Sequence, residues 1–355
     1  MEFCENWESI KKRYIDFWNR ENHDLPLMSI TAPKNDMEEP LISNHTSLRE
    51  RWMDTEFQIN KANWTFRNTV YLAEAFPAFN PDLGPDFFST AFGTQITFAE
   101  HTSWSEHFLT DTMIEEYEGL TVDLCNEYYK KMDELTQAGV EDGKDRYLVG
   151  ITDIHPGADG LMSLRGSQDM CFDTMTYPDF MKKIVMDMFP IYKKLYEKLY
   201  NLTTKYQEGS TCWMPLWHPG RWYPPCCDFS IMISNDMYRD LFLEEIVEEI
   251  KFLDASCYHL DGPGALRHLD TLLEIPQLNG IQWVYGAGQP TASHWLDVIR
   301  KIQKAGKCVQ IDVRPHELEY MLQELSPEGL HYSIRCENED EAKALVKLAD
   351  QYRKG

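Results

Sequence analysis

Apolar positions along the chain alternate between two periods. Phe3, Trp7, Ile10, Tyr14, Phe17 and Trp18 recur at helical spacing and predict an amphipathic helix at the start. The stretch 27–33 is a short apolar run closed by Pro33, which reads as a strand. Further strands are predicted over 73–79, 147–155, 211–218, 256–261, 280–286, 307–312 and 330–336. Between them, helical spacing covers 49–71, 110–138, 181–204, 236–253, 265–273, 292–305, 317–325 and 339–352, with Gly306 as a C-terminal cap. The aromatic stretch 87–108 carries neither period.

Eight strands, each followed by a helix, demand a mostly parallel sheet. At 355 residues the arrangement expected is α/β: a (β/α)8 TIM barrel with an N-terminal helical extension, built as one domain over 1–355. An open doubly wound sheet is the alternative, but no Gly-x-Gly-x-x-Gly follows the first strand. No Gly-, Pro- or Ser-rich linker divides the chain, and no internal repeat is evident.

Charge then narrows the partners. The formal net charge of −24 argues against nucleic acid or an anionic membrane surface as the main partner and leaves a small molecule as the expected one. No apolar run approaches the roughly 18–20 residues needed to span a bilayer. The first residues, Met1-Glu2-Phe3-Cys4-Glu5-Asn6-Trp7, lack a basic region followed by an apolar core. Nine scattered cysteines, an odd number, suit reduced thiols and a cytoplasmic location.

In (β/α)8 barrels the chemistry gathers where the strands end. Asp153 and His155 end the third predicted strand; Trp217, His218 and Arg221 end the fourth; His259 and Asp261 the fifth; Tyr285 and Gly286 the sixth; Asp312 and Arg314 the seventh; Cys336 the eighth. Asp153, His155, His218, Arg221, Tyr285, Asp312 and Arg314 are the catalytic candidates. Trp217, Trp283 and Gly286 are candidates for cofactor contact. Each has a plainer reading: Asp153 as a cap, Asp312 with Arg314 as a rim ion pair, and Trp213, Trp217, Trp222 and Tyr223 as pocket wall or core. Adjacent Cys226 and Cys227 point to opposite faces of an extended chain and read as packing. His259 and Asp261, two apart on one strand, share a face with Cys257 and can converge on a metal, with Cys336 as a third ligand. Cys257, one layer deeper, reads as an inert buried thiol.

The runs Gly150-Ile151-Thr152-Asp153, Leu164-Arg165-Gly166, Phe229-Ser230-Ile231-Met232-Ile233-Ser234, Tyr258-His259-Leu260-Asp261-Gly262-Pro263-Gly264 and Ile281-Gln282-Trp283-Val284-Tyr285-Gly286-Ala287-Gly288 resemble the uroporphyrinogen decarboxylase superfamily. The nearest branch is that of the corrinoid-dependent, trimethylamine corrinoid protein-like methyltransferases. The resemblance spans residues 145–355 and fades in the N-terminal third. It implies a (β/α)8 barrel and, in the methyltransferase branch, zinc held by a His-x-Cys pair and a distant cysteine. His259 matches the histidine and Cys336 the distant cysteine, while Asp261 stands where the first cysteine belongs. The implied activity is a zinc-dependent methyltransferase or demethylase that works with a corrinoid (cobalamin) cofactor or a corrinoid protein on a small methylated substrate or a thiol acceptor, as a homodimer. The family's Arg-Gln-Ala-Gly-Arg carboxylate grip is absent, since the first strand reads Ser29-Ile30-Thr31-Ala32-Pro33-Lys34. A metal-free decarboxylase using Asp153 or Asp261 as its acid is the alternative activity; a non-catalytic binder on the same scaffold is a third.

Overall fold

The computed structural model describes residues 1–4 and 6–353. Its strands are β1 (Leu27–Pro33), β2 (Thr69–Ala73), β3 (Ala78–Phe79), β4 (Ile96–Phe98), β5 (Ser103–Ser105), β6 (Leu148–Val149), β7 (Ser210–Thr211), β8 (Trp217–His218), β9 (Trp222–Tyr223), β10 (Ala255–Asp261), β11 (Gly280–Val284), β12 (Cys308–Asp312) and β13 (Leu330–Arg335). Seven of them form one sheet in the order β2-β1-β13-β12-β11-β10-β9. Every pairing in it is parallel except that of β2 with β1. The long parallel strands are near-continuous buried runs, as expected when both faces are covered. The architecture is α/β, with a mostly parallel central sheet among many helices.

The register sorts the sheet's inner face into rows. Cys257, Gly280 and Cys308 lie side by side in a lower row. His259, Gln282, Gln310 and His331 form the next row, and a bridge sets Cys226 opposite His259. Asp312 and Ser333 pair one pleat higher. The helix Trp7–Trp18 packs beneath, where Phe17 lies 6.1 Å from His331 and its carbonyl accepts from Cys308 Sγ at 3.3 Å.

Three of the eight expected strands come out differently, the third, at 147–155, keeping only the two-residue β6 and one bridge from Ile151 to Cys212. The fourth, at 211–218, reverses at Met214-Pro215: β7 and β8 are antiparallel, since proline cannot continue a central strand. The second, at 73–79, keeps only the two-residue β3, which pairs with β6, while the end of the helix expected over 49–71 is instead β2, antiparallel to β1. Main-chain ladders do not close a ring among the described residues. One side chain links two of the sheets: the Trp222 N–H donates to Ser210 Oγ at 3.1 Å, joining β9 to β7. At the end of the β1–β2 ladder the Glu74 carboxylate accepts from Met28 N–H at 2.9 Å. No helix among the described residues is long and apolar enough to cross a membrane.

His331 is wholly buried, with Nε2 2.9 Å from Ser29 Oγ and Nδ1 without a partner. Burial pushes its pKa from 6.5 down to about 3, so the folded chain keeps it neutral where the unfolded chain protonates it. Stability contributed at neutral pH is therefore lost as pH falls below 6.5, by up to about 1.4 kcal/mol per pH unit until about pH 3. Denaturant melts from pH 7 to pH 4 should show a shallower acid slope for His331→Gln than for the parent, and equal slopes would refute this account.

Candidate metal centre and its surroundings

Past β9 the chain runs Pro224-Pro225, and a residue that precedes proline is held extended. The segment therefore continues beside β10, and the Pro225 carbonyl accepts the His259 N–H at 2.9 Å. This places Cys226 directly across from His259. A short helix, Asp228–Met232, then turns Asp228 back toward the same point. Sγ of Cys226, a carboxylate oxygen of Asp228 and a ring nitrogen of His259 lie within 4.8 Å of one another.

The neighbours orient each donor. Gln282 Oε1 sits 2.5 Å from His259 Nδ1, so an Nδ1–H donated there leaves Nε2 as the free lone pair facing Asp228 Oδ1 at 4.0 Å. Cys226 Sγ lies 3.3 Å from the same oxygen. The Asp159 carboxylate accepts the Asp228 and Phe229 main-chain N–H groups and so fixes the turn that carries Asp228. The Trp213 ring stands edge-on to His259, with centroids 5.3 Å apart, and also faces His155. These groups line a cavity of about 350 Å³.

Electrostatics follow from burial. Desolvation raises the Cys226 thiol pKa, and Asp159 and Asp228 raise it further. Burial alone would lower the His155 pKa, but the Asp153 carboxylate, 2.6 Å from Nε2, together with Asp159 and Asp228 more than offsets this and raises it to about 9. Behind the cavity, Glu245 and Glu249 are both buried one helical turn apart. Gly157 (φ +62°) makes room for them: a Cβ there would fall 2.4 Å from Glu245 Oε2. Desolvation raises both carboxyl pKa values, and each also feels the other.

The sequence-predicted residues fall into three groups. Asp153, His155 and His259 gather at this cavity. Tyr285, Asp312 and Arg314 line a second cavity over β1, β12 and β13. Gly286 (φ +84°) lies at the same end, in the loop after β11, close to Gly262. The remainder lie elsewhere. The reversal at Pro215 carries Trp217, His218 and Arg221 to the opposite end of the strands: Trp217 packs on Trp7, His218 on Trp18, and Arg221 bonds Asp254 just before β10 begins. Trp283 alternates with Gln282, so it faces outward and packs on Trp295 at 5.1 Å. Cys336 likewise shares the outward face of Leu330, Tyr332 and Ile334. It is buried beside Thr31, whose carbonyl accepts its N–H, and desolvation pushes its pKa to about 11. Strand alternation thus keeps Cys336 away from His259, and the expected His259–Asp261–Cys336 set is not assembled. Asp261 shares the His259 face one pleat higher. Burial raises its pKa, and His259 and Asp228 are near enough to act on it, yet it stands outside the three-donor group.

Cys226, Asp228 and Asp159 were not among the sequence candidates. The tandem prolines after an aromatic pair were the signal that Cys226 continues a strand.

No protein-family model matches the chain, and no curated protein matches it in sequence. A solved structure, a methyltransferase from Methanosarcina mazei, is similar to it with a TM-score of 0.66 at 11% identity, over 97% of this chain and 98% of that one. At that identity the likeness is one of fold.

The buried acid pair makes a prediction of its own. A carboxyl whose pKa is raised in the folded state costs stability as pH climbs above the ordinary carboxylate range. Replacing both acids, Glu245→Gln with Glu249→Gln, should remove that loss. Thermal melts between pH 5 and pH 8 should show the parent losing more stability than the double variant, and parallel profiles would contradict the assignment.

Proposed function

We propose that the chain is a metal-dependent methyltransferase built on a (β/α)8 barrel. On this reading it moves a methyl group between a small substrate or thiol acceptor and a corrinoid carried by a partner protein. The observation that supports it is the convergence of Cys226, Asp228 and His259 at the C-terminal end of parallel strands, where barrel enzymes keep their chemistry.

The donors fit zinc. They supply one sulfur, one oxygen and one nitrogen, and three protein ligands with an open fourth position are the pattern of catalytic zinc sites. Zinc held there supplies Lewis acidity that lowers the pKa of a bound thiol. The remaining roles belong to the chain. Gln282 holds the His259 ring with Nε2 presented, Asp159 holds the Asp228 turn, and Trp213 lines the cavity edge-on to His259. The His155–Asp153 pair keeps a protonated imidazole in the cavity, suited to orienting an anionic reactant.

Asp261 favours a second reading. Its carboxyl, raised by burial, is the acid that a metal-free carboxy-lyase would use. Metal removal separates the two, because turnover of a carboxylated substrate that survives chelation decides for the lyase.

Protein purified without chelator should carry about one zinc per chain by elemental analysis. His259→Ala and Cys226→Ser should each lose most of it, whereas Cys336→Ser should keep it. A metal content that is low in the parent or unaffected by these changes would sink the proposal.

A further inference from the structure

We propose that the cavity over β1, β12 and β13 is a binding subsite for a carboxylate, the anionic end of the substrate. It encloses about 370 Å³ between Ser29 and Thr31 of β1, Asp312 and Arg314 at the end of β12, and Ser333 and Arg335 of β13. The chain carries 34 basic residues against 58 acidic ones, and most of its arginines are held by carboxylates. Arg13 pairs with Asp24 and Glu74, Arg165 with Asp111 and Asp173, and Arg239 with Glu274. The side chains of Arg314 and Arg335 form no ion pair among the described residues, although both line this cavity.

Their placement is set by register. Asp312 pairs with Ser333, and the Val313 N–H donates to the Ser333 carbonyl at 2.9 Å. Two residues beyond that pair come Arg314 and Arg335, each exposed and each lining the cavity. Two guanidinium groups lining one cavity repel each other. An oxyanion bridging the two guanidinium forks turns that repulsion into paired charge-assisted hydrogen bonds. Asp312, one pleat below and bonded by Gln310 Nε2 at 3.4 Å, offsets one positive charge. The rim therefore balances a monoanion, and a phosphate dianion would meet Asp312 unscreened. Tyr285 closes the side against Arg314, whose charge opposes the effect of burial on the phenol.

The subsite adjoins the metal centre. Trp213 lines the one cavity and Pro215 the other, so a loop of three residues is their shared wall. Its ends are at most about 7 Å apart. A ligand that engaged both cavities would cross this wall. The identity of the reacting end rests on the methyl-transfer reading; the carboxylate subsite does not.

Titration calorimetry at low ionic strength with propionate, which has a carboxylate and no thiol, tests the subsite. Saturable binding by the parent is expected, weaker by about tenfold or more in Arg314→Gln and in Arg335→Gln. Asp312→Asn should bind propionate more tightly and admit inorganic phosphate, which the parent should bind less well than propionate. The same affinity after EDTA treatment is expected, so that loss of metal and loss of the subsite are told apart. No propionate binding, binding unchanged in the double arginine variant with its melting temperature preserved, phosphate bound by the parent as tightly as propionate, or affinity abolished by EDTA would each overturn the proposal.

Discussion

The in-register pairing of parallel strands is the constraint on which the rest depends. Because each strand meets its neighbour without a shift, residues of like height fall into rows, and His259, Gln282, Gln310 and His331 become one polar belt across an otherwise apolar interior. Each member is satisfied, or left unsatisfied, by what the register puts beside it. Gln282 fixes His259, whereas His331 has only Ser29 and an orphaned nitrogen. A one-residue slip of β10 would turn His259 outward and exchange it for Tyr258 or Leu260. The candidate centre is thus a property of strand pairing before it is a property of loops.

Much of this was legible in the sequence because buried parallel strands announce themselves as apolar runs. β1, β10, β11, β12 and β13 lie where those runs predict them, with His259 near the polar end of β10, whereas Asp153 sits in the loop four residues past β6. What was not legible depends on single residues acting at a distance. Pro215 turns a strand of eight residues into a hairpin and sends His218 and Arg221 to the far end. Cys336 stands at the end of the eighth expected strand, where it is a candidate third ligand, but its place in the alternation puts it on the outward face. Cys226 was dismissed for having a cysteine neighbour, although alternation, the argument used against the pair, is what frees one of them to face inward.

Acidic groups gather at the cavity beside His259, and two arginines with Asp312 at the neighbouring one. Asp159, Asp228, Glu245 and Glu249 lie on one side of the Trp213–Pro215 loop, and Arg314 and Arg335 on the other. A cation and an oxyanion are the natural occupants of the two halves. A ligand bearing both a metal-seeking group and a carboxylate would have only one favourable orientation across the loop.

The Glu74 contact has a mechanical side. Glu74 extends the β1–β2 ladder: its N–H donates to the Met28 carbonyl at 2.9 Å, while its carboxylate accepts from Met28 N–H and from Arg13 Nε at 3.2 Å. This end of the ladder is thus held by main chain and side chain together, and freeing it requires both sets of bonds to break. The edge strand β2 is therefore pinned at its end as well as along its length, on the side of the sheet away from β10 and His259.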